Sequence, residues 1–252
     1  MGEDEFGVCL DLMTLQSMEI DADGQWMADP ARSPKIRRIS ASEQIHSALR
    51  ERIVALELAP GRGLSRQEIA EYYGVSQTPV RDAMLKLEEE GLLTVYPQSK
   101  TEVSKIDIVH ARETQFLRLS LELEVARKLC LAGPDSVAEA RKILMLQEEA
   151  VGEEGLERFS RLDWHFHRAL CEAAGVVNLW SLITSRSGHI DRLRNLNLPD
   201  PGKPANILHY HQLILSAIAA GDVAATEAAV RGHLGGTLSQ VEDIIARYPQ
   251  FV

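Results

Sequence analysis

The chain is 252 residues long, 45% hydrophobic and 25% charged, with a formal net charge of -10, which is enough apolar material for two ordinary cores without staples. Its three cysteines, Cys9, Cys130 and Cys171, are far apart and form no C-x-x-C pair, so neither a disulfide framework nor a zinc knuckle is suggested and a reducing cytoplasm fits. No apolar run approaches the ~20 residues that span a bilayer, and a start rich in Asp and Glu with no Lys or Arg before residue 31 is the opposite of a secretory signal; a soluble, cytoplasmic protein with no membrane partner is expected.

Residues 1–38 lack sustained periodicity, contain Gly24, Pro30 and Pro34, and end in "KIRR"; a mobile acidic leader is expected there. Ser40 with Glu43 forms a capping box that opens "SEQIHSALRERIVAL", where Ile45, Leu49, Ile53 and Leu56 keep helical spacing. "APGRG" stops that helix. Ser65 and Glu68 repeat the box before a short helix ending at Gly74. In "VSQTPVRDAMLKLEEEG", Ser76 or Thr78 can cap a third helix, Pro79 is tolerated in its first turn and Gly91 ends it. Two β-like runs, "LLTVYP" and "TEVSKI", follow around the tip "QSK".

Three helices and a hairpin in this order predict a winged helix-turn-helix over 39–106. Net acidity does not oppose this, because residues 31–105 carry a small positive excess and a field is local. Val80, Ala83, Met84 and Leu87 form the inward stripe of the third helix, which leaves Gln77, Thr78 and Arg81 outward near its N-terminus. There Arg suits guanine, Gln suits adenine and the helix end suits phosphate. The expected DNA-contacting set is Arg66, Gln67, Ser76, Gln77, Thr78, Pro79, Arg81 and Lys100. Arg81 paired with a neighbouring carboxylate and Lys100 merely solvated are the alternatives.

The stretch "GLSRQEIAEYYGVSQTPVRDAMLKLEEEGLL" resembles the DNA-binding domain of GntR-type bacterial transcription regulators, over roughly Ser40 to Ile106. Four positions depart from the usual pattern. Gln77 stands where an arginine is common, Ser99 and Lys100 replace a wing-tip glycine, and Arg66 replaces an acid; a changed base preference is the implied consequence.

From Asp107 onward six helical segments are expected, near 107–131, 135–150, 154–174, 176–196, 203–220 and 222–247, without strand-like alternation. The fold class is therefore mainly α, an N-terminal winged helix-turn-helix followed by an all-α antiparallel bundle of about six helices over 107–252. "RLDWHFHRAL" places Asp163 and His167 on one face with Leu170 and turns His165 away; His211 and His233 lie on the apolar stripes of two later helices, with His209 turned out. By spacing alone, hydrogen-bonded core histidines and a metal site built inside a bundle both remain open.

This half resembles the ligand-binding FCD domain of the FadR subgroup of GntR regulators, and six helices rather than seven resemble its VanR-like branch. "RLSLE" from Arg118 to Glu122 is similar to the start of that domain, while Val176 replaces a common asparagine. The resemblance implies a divalent metal, zinc or nickel, on Asp163, His167, His211 and His233, and a small carboxylate effector beside it. Arg118 and Arg192 are the expected effector-binding cations, with an Arg118–Glu122 pair as the alternative for the first. It further implies a homodimer on double-stranded operator DNA, acting as a repressor. A metal-dependent hydrolase, or a bundle that only dimerises, are the other readings; no H-E-x-x-H or G-x-S-x-G motif occurs, and an enzyme is not expected.

Overall fold

A computed structural model describes residues 40–151 and 155–252; the expected leader lies outside the described residues. Helix α1, Ala41–Val54, opens on the capping box, Ser40 Oγ accepting from the Glu43 N–H at 3.1 Å and Glu43 Oε2 accepting from the Ser40 N–H at 3.2 Å. The helix stops before Leu56, which takes a left-handed backbone at φ 65°, so the expected last member of the stripe leaves it. Helix α2, Arg66–Tyr73, ends on Gly74 at φ 64°, and α3, Gln77–Glu89, is followed by Gly91 at φ 74°.

Strands β1, Leu93–Tyr96, and β2, Lys100–Val103, pair antiparallel with Leu93 opposite Val103 and Tyr96 opposite Lys100. Lys100 thus begins a strand, and the turn itself is residues 97–99. Residues 61–64 add a third edge to this wing through Gly61 N–H to Val103 O, Val103 N–H to Arg62 O and Leu64 N–H to Thr101 O. Ile45, Leu49 and Ile53 of α1 pack on Val80, Ala83, Met84 and Leu87 of α3 and on Leu92, Leu93 and Val103. Each of the larger side chains contributes about 1.5–3 kcal/mol on burial.

Asp107 caps α4, Ile108–Ala132, by accepting from the His110 N–H. A 3₁₀ turn leads to α5, Ala138–Glu149, followed by α6, Leu156–Ala173, α7, Val177–Arg186, α8, Gly188–Asn197, α9, Lys203–Ala220, α10, Val223–Gly235, and α11, Val241–Arg247. Among the described residues the six segments expected beyond Asp107 are eight α-helices, because two of them break. The first break is at Ser187, whose hydroxyl bonds to Thr184 O and to the Asp191 carboxylate and so competes with the helix ladder. The second follows Gly235–Gly236, weak helix formers that give way to a 3₁₀ turn.

The main bundle core joins Leu123, Val125, Ala126 and Leu129 of α4 to Phe166 and Leu170 of α6, Ile214 and Leu215 of α9, and Val230 and Leu234 of α10. The C-terminal residues return to the joint between the halves, where Ile106 N–H donates to Phe251 O at 2.7 Å and Lys105 Nζ donates to Val252 O at 2.8 Å.

Candidate functional site

Helix α3 buries Val80, Ala83, Met84 and Leu87, as its stripe requires, and leaves Gln77, Thr78 and Arg81 exposed. Ser76 stands at the N-cap but its side chain makes no capping bond there, so the first-turn N–H groups keep capacity for an outside acceptor. Arg66 and Gln67 are exposed at the start of α2, and Pro79, next to Thr78 on α3, is half-buried. Gln67 Nε2 donates to Glu71 Oε1 at 2.9 Å. Arg81 touches Asp82 only at 3.4 Å, with both side chains about half exposed, a pair too loose to hold the guanidinium against a base or phosphate. Lys100 pairs with Glu102 and lies 5.0 Å over the Tyr96 ring, so a phosphate contact there would share the ammonium with Glu102 or displace it.

In the bundle, Asp163 and His167 of α6, His211 of α9 and His233 of α10 each offer a ligating atom, and these atoms all lie within 4.8 Å of one another. The Nε2 atoms of His167 and His233 are 3.0 Å apart, those of His211 and His233 3.3 Å, and Asp163 Oδ1 is 3.5 Å from His211 Nε2. With metal–nitrogen bonds of ~2.1 Å, two donors on one ion sit at most ~4.2 Å apart, so the set needs to tighten only slightly.

The far ring nitrogens decide what the near ones can do. Gln147 donates its Nε2 to Phe159 O, which turns its Oε1 to His211 Nδ1 at 2.9 Å; Nδ1 must therefore carry the proton, and Nε2 a lone pair. His167 Nδ1 lies 2.7 Å from Glu122 Oε2, out of line for a hydrogen bond, and the adjacent carboxylate favours the proton on Nδ1. Two lone pairs thus face His233 Nε2, which has at most one proton to give. Asp163 Oδ1 is buried with no hydrogen-bond partner among the described residues. Three convergent imidazole nitrogens and an orphaned carboxylate oxygen are the donor set a first-row divalent ion satisfies.

Electrostatics keep the donors in ligating form. Burial alone would raise the Asp163 pKa, but Arg194 foremost, then the histidines, hold it well below the carboxylate range. Burial opposes ionisation of Glu122 as well, yet Arg118 and His167 bring it to about 2. Burial pushes His211 down to about 3 and depresses His233, so both are neutral at pH 7.

Arg118 is buried with its Nε on Glu122 Oε1 at 2.8 Å, while its Nη2 has no partner among the described residues. It lines a cavity of about 40 Å³ together with Asp163, Arg194, Lys203 and His233, which is room for about one water. A groove of about 950 Å³ between α1 and the bundle shares Ser160, Asp163, Arg194, Asn195 and Leu198 with that cavity.

Arg192 is not at this site. It is fully buried and donates from Nη1 to Ser104 O at 2.7 Å and from Nε to Gly188 O at 3.3 Å, with Nη2 2.9 Å from His189 Nδ1, fastening the joint between the halves instead. Its neighbour Arg194 faces Asp163 and pairs with Oδ2. Sequence reasoning missed Arg194, Gln147 and Lys203. Helical phase separates Arg192 from Arg194 by about 200°, but nothing local says which of them meets the acid.

The description "Bacterial regulatory proteins, gntR family" matches residues 41–103 and the FCD domain matches residues 113–236. An uncharacterized HTH-type transcriptional regulator in an unstable DNA locus of Streptomyces ambofaciens is 37% identical, over 82% of this chain and 87% of that protein. The HTH-type transcriptional repressor RspR of Escherichia coli K12 is 32% identical over 81% of this chain and 90% of its own. In fold, E. coli McbR/YncC aligns with a TM-score of 0.64 at 22% identity, covering 83% of this chain and 99% of that one. A GntR regulator from Rhodococcus aligns at 0.66 and 21% identity, covering 81% and 99%. With relatives that are regulators rather than enzymes, the hydrolase reading is set aside, and the chain belongs to the GntR family of DNA-binding transcription regulators, its winged helix joined to an FCD domain.

Proposed function

We propose that this protein is a homodimeric repressor whose grip on a pseudo-palindromic operator is set by a small carboxylate bound at a divalent metal in the helical domain. The observation that carries this reading is the convergence of Asp163, His167, His211 and His233 in one chamber with the unpaired Nη2 of Arg118. Zinc and nickel both suit three imidazoles and a carboxylate. Arg118, Arg194 and Lys203 around the cavity favour an anion, and a carboxylate can share itself between metal and guanidinium. Arg66, Gln67, Ser76, Gln77, Thr78, Pro79, Arg81 and Lys100 are the proposed DNA contacts.

The name of the E. coli relative supports repression. Phe116 on α4, 75% exposed, and Leu182 on α7, 50% exposed, are apolar side chains that self-association could cover. The site of action is cytoplasmic, where the operator lies. Metal analysis of purified protein, thermal shifts with small carboxylic acids and gel shifts against duplexes from its own genomic neighbourhood test the reading together. DNA affinity should fall by roughly 10³–10⁵ between 50 and 200 mM salt if six to ten phosphates are neutralised. Binding to no such duplex, with or without acids, overturns it.

A further inference from the structure

Helix α8 touches the metal-ligating chamber with one side and the winged domain with another. Toward the chamber, Arg194 pairs with Asp163 Oδ2 and leaves Oδ1 as the orphaned oxygen 3.5 Å from His211 Nε2. Toward the winged domain, His189 Nδ1 accepts from the Asp107 N–H at 2.9 Å, Arg192 donates to Ser104 O at 2.7 Å, and Asn195 Nδ2 donates to Val54 O at 2.8 Å. Residues 188, 189, 192 and 195 form a single helical stripe, and residue 194 lies outside it. Ten residues of one rigid element thus separate the ligand set from the last turn of α1 and the segment leading out of the wing.

We propose that Arg194 is a positioning residue with two tasks. It turns Asp163 so that Oδ1 faces the histidines, and, because it rides on α8, it makes a change in that carboxylate felt at Val54, Ser104 and Asp107. Any adjustment of Asp163 toward a cation moves or unloads the guanidinium bound to its other oxygen. The α8 backbone then carries the displacement to three hydrogen bonds that set how the winged domain sits. A guanidinium fits this role and an ammonium fits it less well, since Arg194 meets Asp163 through Nη2 while its Nη1 lies 3.7 Å from Asp191 Oδ1, and its plane fixes direction as well as charge. The inference rests on the reading that the four ligands bind a divalent ion.

The test uses the full-length protein, zinc alone as probe, a competing chelating dye for affinity, and hydrogen exchange read by mass spectrometry. In the wild type, zinc should slow exchange in α6, α9 and α10 and also change it in residues 88–107. Arg194→Gln should weaken zinc by about 10- to 100-fold, the usual effect of removing a group that orients a ligand, and at saturating zinc the response of residues 88–107 should be lost. Arg194→Lys should recover part of both; if the glutamine variant does not fold, the lysine variant decides by the same two readouts.

Wild-type zinc affinity and a wild-type response at 88–107 in these variants overturn the proposal. If the wild type binds zinc but the exchange change stays within the bundle, the coupling is wrong while the metal site stands. Failure of the wild type to bind zinc or nickel removes the metal site and this inference with it.

Discussion

A Cβ added to Gly188 would lie 2.6 Å from Cδ2 of Leu92, so the first residue of α8 and the residue entering the wing touch with no space for a methyl group between them. Gly188 is here less a flexible residue than an absent side chain. The break between α7 and α8 brings backbone against the winged domain, and Leu92, fully buried, fills the gap.

Gly188→Ala should therefore destabilise the protein by about 1–3 kcal/mol through overpacking. Leu92→Ala alone should cost about 2–5 kcal/mol. The double variant should lose less than the sum, because the truncated residue makes room for the added methyl. Urea denaturation of the four proteins measures the coupling; strict additivity would mean that the two residues do not meet.

On the DNA face, Arg81→Ala should cost about 1–3 kcal/mol of operator binding and relax base preference at one position, while Lys100→Ala should weaken all sequences alike and lower the salt slope by about 1. Competition gel shifts with single-base operator variants at several salt concentrations separate the two. A uniform loss for Arg81→Ala would assign it to phosphate.

Gln147→Leu keeps approximate volume and removes the acceptor that fixes the His211 tautomer. Zinc affinity should drop about 10- to 100-fold, with the helical content by circular dichroism unchanged. Unaltered zinc affinity would show that His211 is oriented by packing alone, chiefly by Phe166, which stacks on its ring at 3.8 Å.

How far the sequence could be read depended on how local each signal was. Ser40 and Glu43 announce a helix start three residues apart, and Asp163 with His167 share a face by phase alone; both are as expected. Arg192 and Arg194 differ by two positions on an ordinary helix, and only the tertiary arrangement tells that one binds the carbonyls near Ser104 while the other meets Asp163. Gln147 sat unremarked on α5 because its meaning depends on His211, 64 residues away. The Gly235–Gly236 pair was a visible warning of a broken helix; Ser187 was not, since its effect comes from side-chain bonds to Thr184 and Asp191.

His189 gives a pH dependence separate from the metal ligands. Burial, helped by Arg192, pushes it down to about 4, against about 6.5 for a free histidine. Between these values the unfolded chain takes up a proton that the folded one refuses. Stability should thus fall as pH drops from about 6.5 to about 4, by at most ~1.4 kcal/mol per pH unit, with no further loss from this group below that. His189→Asn, which offers an acceptor oxygen to the Asp107 N–H without titrating, should flatten that window in urea melts made at fixed zinc. An unchanged slope would place the titration elsewhere.

The bonds from Ile106 to Phe251 and from Lys105 to Val252 have a consequence for biogenesis. Ribosomal synthesis delivers the winged helix before the bundle, and such units fold as they emerge, but the residues that close over the segment leading out of it are made more than a hundred positions later. A nascent chain can hence own a finished DNA reader long before that reader has a fixed bearing, which it acquires as α8 and then Phe251 and Val252 fold back onto it.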